Sequence, residues 1–456
     1  MQKQPPSSDT THEESAPEPQ QEEKKSSHPD AFDFGLAFVD TAELEERPSR
    51  SGRPQTDPKS SMNKTGVVSL RYPDFPVPAV KARVAVLRNN LKTSLYSVGK
   101  VVLRGAGQKN RISFRGRLLV EASYSAGKVL VTADDIKRRE VSVPCTLLSE
   151  NEYNFIELDD GSYRGSMIII SEKPKRFSLV NYIDVEEYLR GVVPLEIGPR
   201  KEKEIEAVKA QAVAARTYTY RKILERSNAS FDLVTTVADQ VYGGLNAENR
   251  HCDKAIRLTE DLVMVYGDSL IIAYYHSTCG GKTANVEDVW QRPPKPYLKS
   301  VSDYDKNGNA YCAISRYYTW IENWSTYRLS SIIARHGGSA GCKGTVKGMK
   351  IKWRHSCGRI ADLNIRTTQG DCVHHGDKIR FVLRRDISGN PILRSCNFRI
   401  RSGNARSVKI EGKGYGHGVG MCQMGAIGRA RAGQSFEEIL KAYYTGVDMR
   451  TAVPKR

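Results

Sequence analysis

Residues 181–220 read NYIDVEEYLRGVVPLEIGPRKEKEIEAVKAQAVAARTYTY. An apolar run, Gly191-Val192-Val193-Pro194-Leu195, ends at a single acid, Glu196, and Gly198-Pro199 then breaks the backbone. Residues 184–189 predict a short helix stopped at Gly191. A charged turn at 201–204 opens a long helix expected to reach about residue 225. Its interior, EAVKAQAVAARTYTY, is small or apolar nearly all round, which marks a buried helix and makes its few polar members informative. At about 100° per residue, Lys209, Val213, Arg216 and Tyr220 share one face. Two readings of that face stand. Either Lys209 and Arg216 snorkel from a partly exposed stripe, or they face a cleft beside Glu196. Glu196 likewise reads as a capping or turn acid, or as a desolvated carboxyl whose pKa rises because burial disfavours its charge.

The whole chain of 456 residues is long enough for two or three domains. It carries 70 Lys and Arg against 52 Asp and Glu, a formal charge of +18. Residues 1–60 hold 13 acids and 7 bases, so the rest of the chain carries +24. A body this basic points to a polyanionic partner, whether nucleic acid, anionic membrane or an acidic wall polymer. No RNP-type aromatic run, zinc-finger spacing or recognition helix is present, so nucleic acid is not expected. No run of 18 apolar residues occurs, so no transmembrane segment is expected. The N-terminus lacks an apolar stretch and does not read as a signal peptide. Nine cysteines are too few for a dense disulfide framework.

Outward from the central stretch, the fold class reads as α+β. Residues 1–63 form an acidic, Pro-rich tail expected to be disordered, with a short apolar patch at 32–39. Residues 64–175 are a β-rich domain of short β-branched runs separated by turns. Residues 176–450 form a mixed α/β core around the long buried helix, with an inserted Cys/His-containing segment at about 320–400. Within that core, 234–245 (VTTVADQVYGGL) reads as a strand ending in a ligand-facing turn at Gln240 and Tyr242. A helix at about 247–259 and a β pair at 263–265 and 271–275 follow. The pair ends at His276-Ser277-Thr278-Cys279-Gly280-Gly281. His276, Cys279 and Cys312 could share a metal; a Cys279–Cys312 disulfide and two unrelated thiols are the alternatives. Cys342, His355, Cys357, Cys372, His374, His375 and Cys396 form a second group without a clear ligand spacing. Residues 378–385 read as an Arg-rich strand. In GKGYGHGVGMCQMGAIGRARAG, residues 412–433, alternating glycines permit φ > 0 or close backbone approach around His417, a candidate for proton transfer or hydrogen bonding. An amphipathic helix closes the chain at about 435–444.

These stretches, from about residue 155 to 450, resemble the stage II sporulation protein D family, which includes the amidase enhancers. The likeness rests on YRGSMII, NYIDVEEYLRGVVPLEI, EAVKAQAVAARTYTY, DQVYGG, YYHSTCGGKT and GYGHGVGMCQMGAIGRARAG. It implies a peptidoglycan lytic transglycosylase that cuts peptide-stripped glycan strands between N-acetylmuramic acid and N-acetylglucosamine and leaves 1,6-anhydro ends, in the cell envelope. Glu196 matches the catalytic glutamate. Lys209 and Arg216 match residues that would hold the lactyl carboxylate. Gln240, Tyr242, His417 and Gln423 become candidate sugar contacts. No cofactor is required, although a zinc ion on His276, Cys279 and Cys312 is implied for some members. Many members have Ser at Cys279, Trp at Met424 and His at Tyr317. The partners implied are glycan strands and a wall amidase; the alternative is a non-enzymatic amidase enhancer. Because the substrate's own 6-hydroxyl serves as nucleophile, one carboxyl suffices in such a reaction, and its dual duty asks for a pKa of about 6–7.

Overall fold

A computed structural model describes residues 72–454 apart from 78–79, 106–110, 135, 152–154, 339–341, 388–390 and 404–405, together with the strand pair 61–62 and 68–69. The expected tail at 1–63, except residues 61–62, lies outside the described residues, as does the 32–39 patch.

Alternation dominates the first half of the described chain. In Lys128–Ala133 every second residue, Val129, Val131 and Ala133, is buried, the two-residue period of a strand with one face on a core. Such strands build one large sheet. Its order is Leu233–Val234, Lys81–Asn90, Arg176–Asp184, Ser166–Lys173, Cys145–Ser149, Lys92–Gly105, Ile112–Ala122, Lys128–Ala133 and Ile136–Ser142. All neighbours are antiparallel except Leu233–Val234, which runs parallel to Lys81–Asn90. The boundary expected at 175/176 therefore falls inside a hairpin of hydrogen-bonded strands, and Arg176–Asp184 passes from that sheet directly into the first helix.

That helix, α1 (Val185–Glu196), begins where the Asp184 carboxylate accepts from the Glu186 N–H. Helix α2 (Ile205–Glu225) packs on it, followed by α3 (Arg250–Leu258) and α4 (Val286–Trp290). Further along come α5 (Thr326–His336), α6 (Lys378–Val382), α7 (Gln423–Arg431) and α8 (Phe436–Tyr443). In α2 fourteen of 21 residues are buried, as the small-residue sequence predicts.

Three sequence expectations need correction. Gly191 does not stop the first helix, and Pro194 lies inside it. A Cβ on Gly191 would stand 2.5 Å from the Tyr242 ring and 2.9 Å from the Gly244 carbonyl, so this glycine serves close packing rather than a turn. The break comes at Gly198, with φ of 77°. Residues 378–382 are helical, not a strand, because α6 buries Ile379 and Val382. The pair expected at 263–265 and 271–275 is instead Leu262–Tyr266 with Ser269–Leu270. They share a sheet with the C-terminal Asp448–Pro454 and with Asp74–Val77. Tyr275–His276 pairs elsewhere, in parallel with Met421–Cys422.

The inserted segment has its own core, in which Trp320, Trp324, Leu329, Ile333, Leu363, Ile365, Ile379, Leu393 and Ile410 cluster apart from the main core. Its sheets are Thr319–Ser325, Ser407–Lys413 and Phe398–Gly403, and Val346–Arg354, Ile360–Thr367 and Gly370–His375.

Candidate active site

Glu196 is the last residue of α1, placed there by seven buried positions along the helix. It is partly exposed. Its Oε1 accepts from the Val241 N–H at 3.0 Å, and Tyr275 and Gln423 also hydrogen-bond the carboxyl. Burial pushes its pKa from an ordinary 4.5 up to about 7, against the lowering effect of those three neutral donors. The C-terminal end of a helix, where unsatisfied carbonyls gather, also disfavours an anion. Glu196 is thus a carboxyl that can change protonation near neutrality while still reaching solvent.

Neutral amides and hydroxyls from four segments enclose it. Gln423, the first residue of α7, donates from Nε2 to the Glu196 main-chain oxygen at 2.9 Å and to Gln211 Oε1 at 3.3 Å. Gln240 donates from Nε2 to the Tyr275 hydroxyl at 3.0 Å and to the Ala215 carbonyl at 3.3 Å. Its Oε1 accepts from Thr219 at 3.0 Å and from Tyr188 at 3.3 Å. Gln211, Ala215 and Thr219 lie at i, i+4 and i+8 of α2, so this helix presents one stripe to the glutamate. The nearby Asp239 is engaged by Arg226 at 2.7 Å, by Tyr218 at 3.1 Å and by the Val234 N–H at 3.0 Å.

The structure brings Glu196, Gln240 and Gln423 together, with Gln240 fully buried and Gln423 5 % exposed. The other expected contacts stand elsewhere. Arg216 is fully buried in a bidentate ion pair with Glu186, at 2.5 and 2.6 Å, and donates to the Leu262 and Ile256 carbonyls. Lys209 pairs with Glu206 at 2.6 Å and lies over the Phe436 ring. Their face of α2 is turned about 120° from the Gln211-Ala215-Thr219 stripe. The expected cleft beside Glu196 therefore does not contain them, and Arg216 does not snorkel either. Tyr242 points its hydroxyl to Asn181 at 3.0 Å and packs its ring on Tyr188; it braces α1 from behind.

His417 is 1 % exposed. The Val419 N–H donates to its Nδ1 at 3.1 Å, which leaves Nε2 protonated and donating to the Tyr275 carbonyl at 3.0 Å. Burial pushes its pKa well down, so the ring is a neutral clamp on the strand that carries Tyr275. The alternating glycines serve the same contact. Gly414, Gly416, Gly418 and Gly420 all have positive φ, from 70° to 101°. A Cβ on Gly414 would come within 2.6 Å of the Thr278 carbonyl, and one on Gly416 within 2.9 Å of the His276 side chain. At these glycines the loop closes on the Thr278 main chain and the His276 side chain.

The implied zinc set is only partly assembled. His276 directs Nδ1 at the Val419 carbonyl at 3.2 Å and is held neutral by burial and by the Arg359 guanidinium, its pKa lowered to about 3. Cys279 and Cys312 are adjacent thiols, Sγ to Sγ 3.5 Å, and their company is Asp303 and Cys422. In the second Cys/His group, Cys342 and Cys372 form a disulfide next to His374. Tyr275, Gln211, Tyr188 and Thr219 escape sequence reasoning. Tyr275 borders His276 at a strand end, but nothing in its type marks it as a partner of Glu196.

Two family models match the chain: stage II sporulation protein (SpoIID) over residues 173–266, which include Glu196 and all of α2, and a domain of unknown function (DUF8618) over residues 307–420. Stage II sporulation protein D of Bacillus amyloliquefaciens is 32% identical over 293 residues, 60% of this chain and 76% of that protein. An uncharacterized protein of Brachyspira hyodysenteriae is 33% identical over 288 residues, 63% of this chain and 72% of the other. The amidase enhancer of Bacillus subtilis is 28% identical over 306 residues, 57% of this chain and 40% of the enhancer. The chain thus matches less than half of the enhancer's length.

Proposed function

This chain belongs to the stage II sporulation protein D family, and on that premise we propose that it is a peptidoglycan lytic transglycosylase acting on glycan strands of the cell wall, outside the cytoplasm. The observation that carries the reading is Glu196: one partly exposed carboxyl with a pKa raised to about 7, caged by neutral donors, while Asp239 nearby is committed to Arg226. A glycosidase that activates water uses two carboxyl groups. Here protonated Glu196 gives its proton to the glycosidic oxygen as the bond from the muramoyl C1 to that oxygen breaks. The carboxylate so formed then takes the proton of the same residue's 6-hydroxyl as its oxygen bonds to C1. The bound sugar supplies the nucleophile at high effective concentration, so no second acid is needed.

The remaining residues hold that carboxyl in place. Val241 N–H fixes Oε1, and Gln423 fixes the main chain at the end of α1. Gln240 accepts from Thr219 and Tyr188 and orients the Tyr275 hydroxyl. Arg216 and Lys209 act on the fold rather than on the substrate carboxylate.

A second reading is favoured by the relative named amidase enhancer: a glycan-binding module that stimulates a wall amidase. Incubating the purified chain alone with denuded glycan in ¹⁸O-labelled water separates the two. The proposal expects muramic products that have lost the elements of water and carry no ¹⁸O. Labelled reducing ends would mean a hydrolase. Glycan binding with no products, and amidase stimulation on mixing, would mean an enhancer.

A further inference from the structure

We propose that Cys279, Asp303, Cys312 and Cys422 form a closed binding site for one zinc-class divalent metal ion, and that this site locks the strand and helix that hold Glu196. The ligand set differs from the one implied by resemblance, because the donor atoms that converge are those of Cys279, Cys312, Asp303 and Cys422, and His276 is not among them.

Four observations carry it. The four side chains come from separate places: the loop after Tyr275–His276, the segment before and within the 3₁₀ turn Tyr311–Ile314, and the end of Met421–Cys422. All four are fully buried, and their ligand atoms lie within 4.8 Å of one another. Second, the spacings suit a tetrahedron. Metal–sulfur bonds of about 2.3 Å put sulfurs about 3.8 Å apart, and a shorter metal–oxygen bond puts sulfur and oxygen about 3.5 Å apart. Cys279 and Cys312 are 3.5 Å apart, and Cys279 Sγ is 3.3 Å from Asp303 Oδ2.

Third, main-chain N–H groups are aimed at two of the sulfurs. The Cys279 N–H donates to Cys422 Sγ at 3.1 Å, the Gly281 N–H to Cys279 Sγ and the Gly425 N–H to Cys422 Sγ, both at 3.3 Å. Fourth, Asp303 is oriented from behind. Its Oδ1 accepts from Tyr443 at 2.7 Å and Arg429 at 3.2 Å, leaving Oδ2 turned to the sulfurs. Three thiols and one carboxylate favour a soft borderline cation over magnesium or calcium, and four protein ligands leave no open position. The site is therefore structural. Its link to Glu196 is short: Cys422 precedes Gln423, and its strand pairs with Tyr275–His276.

The metal assignment stands independently of the lytic reading, because its first readout is metal content. The full chain, purified without chelator, is expected to hold one equivalent of zinc by mass spectrometry of the metal. Exchange with cobalt(II) should give thiolate charge-transfer absorption and tetrahedral d–d bands. C422S and D303N should each lower bound metal at least tenfold, while C252S, altering a buried thiol elsewhere, should not. Should C422S fail to fold, chelator treatment of the wild-type chain replaces it. Loss of one zinc with a lowered melting temperature, both restored by zinc, is the expected result. A wild-type chain without metal, wild-type metal content in D303N and C422S, or an intact mass showing a Cys279–Cys312 disulfide would overturn the proposal. Glycan products from a metal-free chain would leave the lytic reading intact and sink only the lock.

Discussion

Glu196 ends α1 with its Oε1 on the Val241 N–H, and the groups that pull its raised pKa back down are all neutral. The sign of its effect on stability follows. A folded-state pKa of about 7 against an ordinary 4.5 means that the folded chain binds the proton more tightly than the unfolded one. Stability is lost as pH rises from about 4.5 to about 7, and above that the cost is complete, at most about 3 kcal/mol. Glu196→Gln keeps the shape and removes the charge. It is therefore expected to melt higher than the wild type at pH 8 and alike at pH 4, as thermal denaturation at the two values will show. Equal shifts at both would remove the desolvated carboxyl from the account. Activity should follow the acid form: kcat/KM for anhydro-sugar release falls about tenfold per pH unit once pH exceeds about 7. The apolar run ahead of Gly198-Pro199 left this acid open between a cap and a desolvated carboxyl, and it was the family resemblance that singled it out. Tyr275 and Gln211 were not legible in the sequence, since a buried tyrosine and a helical glutamine have the same look in any core.

Helix α2 carries the next lesson. Its burial could be read from EAVKAQAVAARTYTY, but helical spacing shows only that Lys209 and Arg216 point the same way. The direction is set by Glu186 on α1, which periodicity within α2 does not reveal. The two cations therefore separate in a test. Arg216→Met leaves a carboxylate and two main-chain carbonyls without their donor in the interior and should cost about 3–5 kcal/mol in urea denaturation. Lys209→Ala loses a partly exposed ion pair, worth at most about 1 kcal/mol. Unchanged stability with lost glycan binding in Arg216→Met would return that arginine to the substrate. Gly191 and Pro194 mislead for a similar reason. Local propensity reads them as breaks, whereas Tyr242 and Gly244, far along the chain, explain why glycine is needed.

At the scale of the whole molecule, composition and alternation gave α+β, and a second buried cluster gathers residues from Trp320 to Ile410. Pairing was beyond the reach of composition and alternation. Asp448–Pro454 lies beside Asp74–Val77, and Tyr275–His276 beside Met421–Cys422, through contacts that no local pattern encodes. The same distance hid Cys422 from Cys279. The pairing of Tyr275–His276 with Met421–Cys422 is what brings Tyr275 and Gln423 to one carboxyl. The most direct test of that arrangement compares the wild type with Glu196→Gln on denuded glycan strands near pH 7, by mass spectrometry of released 1,6-anhydro-muramic ends. The wild type is expected to release them, and the variant to bind the strands and release none. Release by Glu196→Gln at the wild-type rate would contradict the account.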